Sequence, residues 1–104
     1  MPAIAIDIDR DRLRDFCRRW KITEFALFGS VLREDFGPES DVDVLVTFER
    51  DARWTLLHMV DMKAELEELF GRPVDLLTRR GVEQSHNRFR RESILNSAVI
   101  VDVA

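Results

Sequence analysis

The sequence has few of the features that mark membrane, secreted or disulfide-bonded proteins. A single cysteine, Cys17, can form neither an internal disulfide nor a cysteine metal cage. Unbroken apolar runs such as 98–101 reach only four residues, whereas a helix that crosses a bilayer needs roughly 20. The N-terminus lacks the basic and apolar regions of a secretory signal. These absences predict a cytoplasmic protein with no membrane segment.

Glycine and proline are also scarce, with four and three residues, and the chain has no internal repeat, low-complexity segment or flexible linker. Hydrophobic residues make up 45% and charged residues 35% of the 104 positions, which fits a folded globular protein. This length accommodates one small core, so we expect residues 1–104 to form a single domain. The net charge of -4 argues against direct nucleic-acid binding.

Hydrophobic periodicity and turn residues predict alternating helices and strands. Helices are expected over 9–20, 54–70 and 84–97, with one or two helical turns over 31–36. Strands are expected over 23–28, 41–48, 73–77 and 98–103. This order implies an α/β or α+β domain with one sheet covered by helices.

Three pairs of aspartates are separated by one residue, and only the pair of Asp41 and Asp43 lies on a predicted strand. The other two pairs flank the start of the first helix, where acidic residues favour the helix dipole. Strand alternation puts the Asp41 and Asp43 carboxylates on one face. A divalent cation would relieve their repulsion. The alternative is that both carboxylates point to solvent at a strand end.

Gly29 and Ser30 follow the preceding strand and change how the aspartate pair is interpreted. Glycine lets the backbone approach a phosphate closely, and a serine that opens a helix adds a hydroxyl to the exposed amides. A phosphate site beside a metal site indicates a metal-nucleotide site. The chain has no Walker motif with its lysine, so a P-loop ATPase is not supported.

Three segments together resemble a known signature: Phe28-Gly29-Ser30, Asp41-Val42-Asp43 and the later strand carboxylate Asp75. The signature is that of the DNA polymerase β-type nucleotidyltransferase superfamily. Within it the chain is similar to the minimal nucleotidyltransferase (MNT) domains over about 13–101. The resemblance implies an α+β, polymerase β palm-like fold, with one mixed sheet of about four strands flanked by helices and the two motif strands side by side.

The resemblance also implies a role for each matching residue. The catalytic acids, which would bind two Mg²⁺ ions, are Asp41, Asp43 and Asp75. The residues that would hold the triphosphate of ATP are Gly29, Ser30 and Arg33. Asp75, in a Val-Asp-Leu segment, could instead be an exposed polar position on a strand.

Arg33 matches an arginine that is common in the small members of the superfamily. Many relatives have alanine and glycine on either side of it, whereas this chain has Leu32 and Glu34. Glu34 would put a negative charge near the proposed phosphates, which weakens the assignment of Arg33 as a phosphate ligand.

Nucleotidyl transfer is the chemistry that these residue types support, with metal-assisted attack of a hydroxyl on the α-phosphorus and release of pyrophosphate. Asp75 could orient the second metal or accept the hydroxyl proton. The predicted elements use almost every residue, so another polypeptide should bring the acceptor. The resemblance implies that this polypeptide is a small helical HEPN ribonuclease toxin whose tyrosine receives AMP from ATP, with the present chain as the antitoxin.

Two alternatives stay open at this point. The chain could be a non-catalytic module that neutralises a helical partner by contact alone, or a nucleotidyltransferase that acts on a small molecule. The intact acids favour catalysis, and the short length disfavours a small-molecule enzyme. The basic side chains of the last predicted helix fit either a solvated face or a docking patch for an acidic partner or phosphate: Arg88, Arg90 and Arg91.

Overall fold

A computed structural model describes residues 8–32 and 40–101 and contains one sheet with helices on both faces. In chain order the elements are α1 (Arg10–Arg19), β1 (Ile22–Phe28), a short 3-10 helix (Gly29–Leu32), β2 (Val42–Phe48), α2 (Leu56–Phe70), β3 (Val74–Thr78), α3 (Arg79–Glu83), α4 (Arg88–Ser97) and β4 (Val99–Ile100). None of the helices in these two ranges has the length and apolar character needed to cross a membrane.

The four strands lie in the order β3-β2-β1-β4. β1 runs antiparallel to both β2 and β4, whereas β2 and β3 are parallel. Parallel neighbours need a crossover connection, and α2 supplies it. The predicted fold, a small mixed sheet of about four strands flanked by helices, is therefore confirmed.

The sheet has two apolar faces of unequal size. α1 and α2 cover the first face, where Phe25, Val44 and Met62 are fully buried. α3 and α4 cover the second face with a smaller cluster: Ala26, Phe28, Leu45, Val82 and Ile94. Strand side chains alternate between the two faces, so Val42, Val44 and Val46 of β2 belong to the first cluster and Leu45 to the second. The smaller cluster leaves part of the second face available for polar side chains.

Local signals in the sequence set the ends of α2. Thr55 is the N-cap: its hydroxyl accepts from the His58 amide, and the His58 ring accepts from the Thr55 amide at 2.9 Å. Gly71 ends the helix in the left-handed conformation, with φ at 68°, and its N–H donates to the Glu67 carbonyl at 2.8 Å. Glycine is the usual residue at this position, because it adopts the left-handed conformation without a steric penalty.

The predicted helix over 84–97 is wrong in its first turn. The structure has a turn over 84–87 and starts α4 only at Arg88, because the Asn87 side chain caps the helix by accepting from the Arg90 amide at 3.1 Å. A separate helix, α3, precedes this turn. Its N-cap is Thr78, whose hydroxyl accepts from the Gly81 amide at 3.0 Å. A threonine N-cap is a recognised start signal, so the sequence did contain a signal for α3.

The other helices and strands begin and end within two residues of the predicted positions, apart from two segments. The helical turns expected over 31–36 begin earlier, as the 3-10 helix Gly29–Leu32, and positions 33–36 lie outside the described residues. The last strand, expected over 98–103, is Val99–Ile100, with 102 and 103 outside the described residues.

Cys17 should be inert in the folded protein and reactive when the protein unfolds. Its side chain packs in the first core cluster, and burial raises the pKa of the thiol from 9.0 to about 11. Thiolate is the reactive form, so alkylation at about pH 8 should be slow in buffer and fast in denaturant. Because the pKa is raised, stability linked to this group is complete below pH 9.0 and declines as the pH rises towards 11. Rapid alkylation of the native protein would contradict this prediction.

Candidate active site

Three of the predicted site residues meet at one edge of the sheet because of the strand directions. β1 and β2 are antiparallel, so the end of β1 lies beside the start of β2, and the register pairs Phe28 with Asp43. β2 and β3 are parallel, so their starts are adjacent, and Asp43 is paired with Asp75. Neighbouring strands are about 4.8 Å apart. Asp43 is therefore the immediate neighbour of both Gly29 and Asp75, which lie on either side of it.

Asp43 and Asp75 lie on the same face of the sheet. Leu45 and Leu77, two residues further along each strand, both pack in the second cluster, and strand alternation assigns the aspartates to that face as well. Asp75 is exposed and Asp43 is partly buried. Two carboxylates on adjacent strands repel each other, so a cation or a set of hydrogen-bond donors between them would be stabilising.

Asp41 stands just before β2 and is exposed. The amide of the next residue, Val42, donates to the carbonyl of Pro73 at 2.9 Å and so joins the start of β2 to the segment that leads into β3. Asp41 is two residues before Asp43, the spacing that puts alternate side chains of an extended chain on one face. The chain thus brings Asp41 to the edge of the sheet where Asp43 and Asp75 are paired.

Two separate features favour glycine at position 29. Its φ is +72°, a conformation that other residues adopt only at a cost. A Cβ atom built on Gly29 would also collide with Oδ2 of Asp43. The sequence predicts close backbone approach to a phosphate, but it does not reveal that this glycine makes room for an aspartate. A glycine directly after a strand was the only signal for this contact.

The remaining predicted residues belong to the segment after β1. Ser30 is the second residue of the 3-10 helix, which is anchored by the fully buried side chain of Val31. Arg33, with its neighbour Glu34, lies outside the described residues. The roles of Ser30 and Arg33 in phosphate binding therefore stay predictions.

The carboxylates at this edge fit the ligand preference of Mg²⁺. Across residues 8–32 and 40–101, no three His, Cys, Asp or Glu side chains are grouped closely enough to hold a metal ion unaided. Mg²⁺ in phosphoryl-transfer sites is usually bound by one or two carboxylates together with substrate phosphates and waters. The pairing of Asp43 with Asp75 supplies hard oxygen ligands of that number and kind.

Comparison with known proteins agrees with this arrangement. The protein-family model described as a nucleotidyltransferase domain matches residues 10–101 of this chain. The fold and this match define an enzyme of the nucleotidyl-transferring class. The chain belongs to the nucleotidyltransferase domain family, and its resemblance to the minimal members is confirmed by the following relatives.

Two relatives carry names in this class. MntA of Thermococcus cleftensis, a protein adenylyltransferase, is 33% identical over 70 residues, which are 67% of this chain and 69% of MntA. MJ0435 of Methanocaldococcus jannaschii, a candidate protein adenylyltransferase, is 38% identical over 76 residues, or 73% of this chain and 75% of the relative.

Solved structures have the same fold. A candidate minimal nucleotidyltransferase superposes with a TM-score of 0.65 and 34% identity, covering 86% of both chains. A chain from a toxin-antitoxin complex with AMP-PNP gives a TM-score of 0.68 at 17% identity, covering 89% of this chain and 72% of that one. A chain from an MntA-HepT toxin-antitoxin complex gives 0.59 at 16% identity, covering 88% and 67%. The last two likenesses establish the fold alone.

Proposed function

We propose that this protein transfers AMP from ATP to a tyrosine hydroxyl of a small helical HEPN-type ribonuclease toxin and thereby acts as an antitoxin in the cytoplasm. The observation that carries the proposal is the register that makes Asp43 and Asp75 neighbours beside Gly29. The acceptor class is supported by relatives: MntA is named a protein adenylyltransferase, and chains with this fold occur in toxin-antitoxin complexes, one of them with AMP-PNP.

The triphosphate of ATP is proposed to lie against the segment that follows β1. Gly29 lets the backbone approach the phosphates, and the amides that open the 3-10 helix can donate to phosphate oxygens. Ser30 and Arg33 would add a hydroxyl and a guanidinium. An arginine matches phosphate geometry because it can donate two parallel hydrogen bonds.

Asp41 and Asp43 would hold the Mg²⁺ ion that carries the triphosphate, and Asp75 would help to hold the second Mg²⁺ ion. When bound, Mg²⁺ supplies neutralisation of the phosphate charge and a lower pKa for the attacking hydroxyl. The protein residues orient these groups: Asp43 is fixed between the neighbouring strands and against Gly29, and Asp75 lies at the exposed side of the pair.

The reaction is an in-line displacement. The tyrosine oxygen forms a bond to the α-phosphorus, and the bond between that phosphorus and the oxygen that bridges to the β-phosphate breaks. Asp75 accepts the tyrosine proton, pyrophosphate leaves, and AMP stays on the tyrosine as a phosphodiester. Asp75 suits this task because it is exposed on an edge strand, where an acceptor from another chain can reach it.

Mass spectrometry tests the proposal directly. The purified protein is incubated with ATP, Mg²⁺ and a purified HEPN-type protein. The partner's mass should rise by one AMP unit per modified tyrosine, and the change should disappear when a chelator replaces Mg²⁺ or when the tyrosine is replaced by phenylalanine. If the mass of the acceptor does not change, although the protein still protects cells from the toxin, neutralisation by binding is the function.

A further inference from the structure

An open cleft of about 700 Å³ follows the outer edge of β3. β3 is the edge strand of the sheet, and the cleft is lined from both faces: Leu76 belongs with the first cluster and Leu77 with the second. One wall comes from the first turns of α2 and the other from α3 and α4. We call this feature the β3 cleft.

The helices beside the β3 cleft expose large apolar side chains. Leu56, Leu57 and Val60 in the first turns of α2 are 84%, 78% and 62% exposed. Their spacing of three and four residues puts Val60 next to both leucines on the helix surface. Phe89 in the first turn of α4 is 86% exposed. Leu56 also lines the cleft, and the leucine and valine side chains of α2 form an apolar patch of the kind that marks a contact site for another molecule.

The charged side chains that line the β3 cleft are basic. Arg90 and Arg91 line it, and among the described residues no aspartate or glutamate does, although the chain as a whole carries a net charge of -4. The Arg91 guanidinium donates to the carbonyl of Ser85 at 2.9 Å, which fixes one of the two positive charges at the wall. Complementarity therefore favours carboxylates on the occupant.

The edge of β3 is too short to recruit another strand. The amide of Val74 already donates to the Glu67 carboxylate at 2.9 Å, and Thr78 is used as the N-cap of α3. Between these two positions only Leu76 presents its backbone outwards, since alternate residues face β2. A strand partner would gain few hydrogen bonds, whereas a helix could bury its apolar stripe against the walls of the cleft.

We propose that the β3 cleft docks a helix of the protein acceptor, with an apolar stripe against α2 and β3 and carboxylates facing Arg90 and Arg91. Asp75 directly precedes Leu76 and lies two residues from Leu77 on the same face, so a helix docked there holds its chain beside the candidate acid. The assignment of the occupant as the acceptor rests on the proposed function; the docking itself does not.

Binding of designed helical peptides tests the docking. Three labelled peptides of about 18 residues, roughly five turns, are compared by fluorescence anisotropy without ATP: a leucine stripe flanked by glutamates, the same stripe flanked by lysines, and an alanine stripe flanked by glutamates. The first should bind about tenfold more tightly than either of the others, because it alone offers both the apolar stripe and the carboxylates.

Surface variants assign the binding to the cleft. Leu56→Glu should weaken binding of the leucine-glutamate peptide about tenfold, and Arg90→Glu should shift the preference towards the lysine peptide. Ile100→Glu is the matched control, because Ile100 is apolar and 62% exposed but lies on β4, at the other end of the sheet. It should leave binding unchanged.

Several outcomes would overturn the docking proposal. These are equal binding of the glutamate and lysine peptides, no binding of any peptide, insensitivity to Leu56→Glu and Arg90→Glu, or a self-associated protein that Leu56→Glu converts to a monomer. The last result would assign the cleft to a second copy of the chain. Failure of docking with intact AMP transfer would leave the proposed function standing, and docking without any AMP transfer would refute the proposed function alone.

Discussion

Gly29→Ala should abolish nearly all nucleotidyl transfer while leaving a folded protein. The substituted Cβ would collide with Oδ2 of Asp43. The Asp43 carboxylate must therefore move away from its position beside Asp75. Small displacements of a group that positions reacting atoms cost about 100-fold in rate. The φ of +72° adds strain of about 1–2 kcal/mol to the folded state. Steady-state kinetics and thermal unfolding of the variant measure the two effects separately.

Gly71→Ala provides a matched control for the backbone strain. Gly71 has nearly the same φ, +68°, but a Cβ there would have nothing within 4 Å. This variant should lose a similar amount of stability, about 1 kcal/mol, and keep its activity. If the two variants lost activity equally, the effect of Gly29→Ala would come from general destabilisation and the contact with Asp43 would have no catalytic importance.

The example of Gly29 illustrates which parts of the site the sequence could predict. A glycine and serine after an apolar strand predict a tight turn, and an Asp-x-Asp pair at the start of the next strand predicts carboxylates on one face. The contact between Gly29 and Asp43 depends on the register of β1 against β2, which pairs Phe28 with Asp43. Register is decided by packing of both faces of the sheet, so local sequence patterns do not contain it.

The last helices show a similar limit for the fold. The hydrophobic pattern from 84 onwards is weak, and only Ile94 is fully buried in α4. Capping therefore decides the boundaries, with Thr78 starting α3 and Asn87 starting α4. Both caps were present in the sequence, but a cap residue without a strong apolar stripe does not distinguish one helix from two.

Exposure of the first turns of α2 could not be predicted either. The pattern over 54–70 puts apolar residues on much of the helix surface, and the sequence alone does not say which of them face the sheet. The structure buries Met62 and Leu66 and leaves Leu56 and Leu57 exposed. The sheet covers only part of the helix, because β3 is short and lies at the edge.

Asp75→Asn should remove catalysis while largely preserving nucleotide binding. If Asp75 accepts the proton of the acceptor hydroxyl, an amide cannot replace it, and kcat should fall by about 100-fold or more with little change in the affinity for ATP. Asp43→Asn should lower both, because Asp43 is proposed to hold the metal that carries the phosphates. Equilibrium binding of ATP with Mg²⁺ and single-turnover kinetics distinguish the two variants.

Thermal unfolding and a surface control distinguish a loss of chemistry from a loss of folding in the aspartate variants. Asparagine keeps the size of aspartate and removes one of two repelling charges on adjacent strands, so Asp75→Asn should unfold at the same temperature as the unmodified protein or higher. Asp61→Asn is the control, because Asp61 is an exposed carboxylate on α2, away from the paired aspartates. Full activity of Asp75→Asn would exclude Asp75 from the chemistry and leave Asp41 and Asp43 as the candidate acids. Equal loss in Asp61→Asn would show that net charge, and not the position of Asp75, controls the rate.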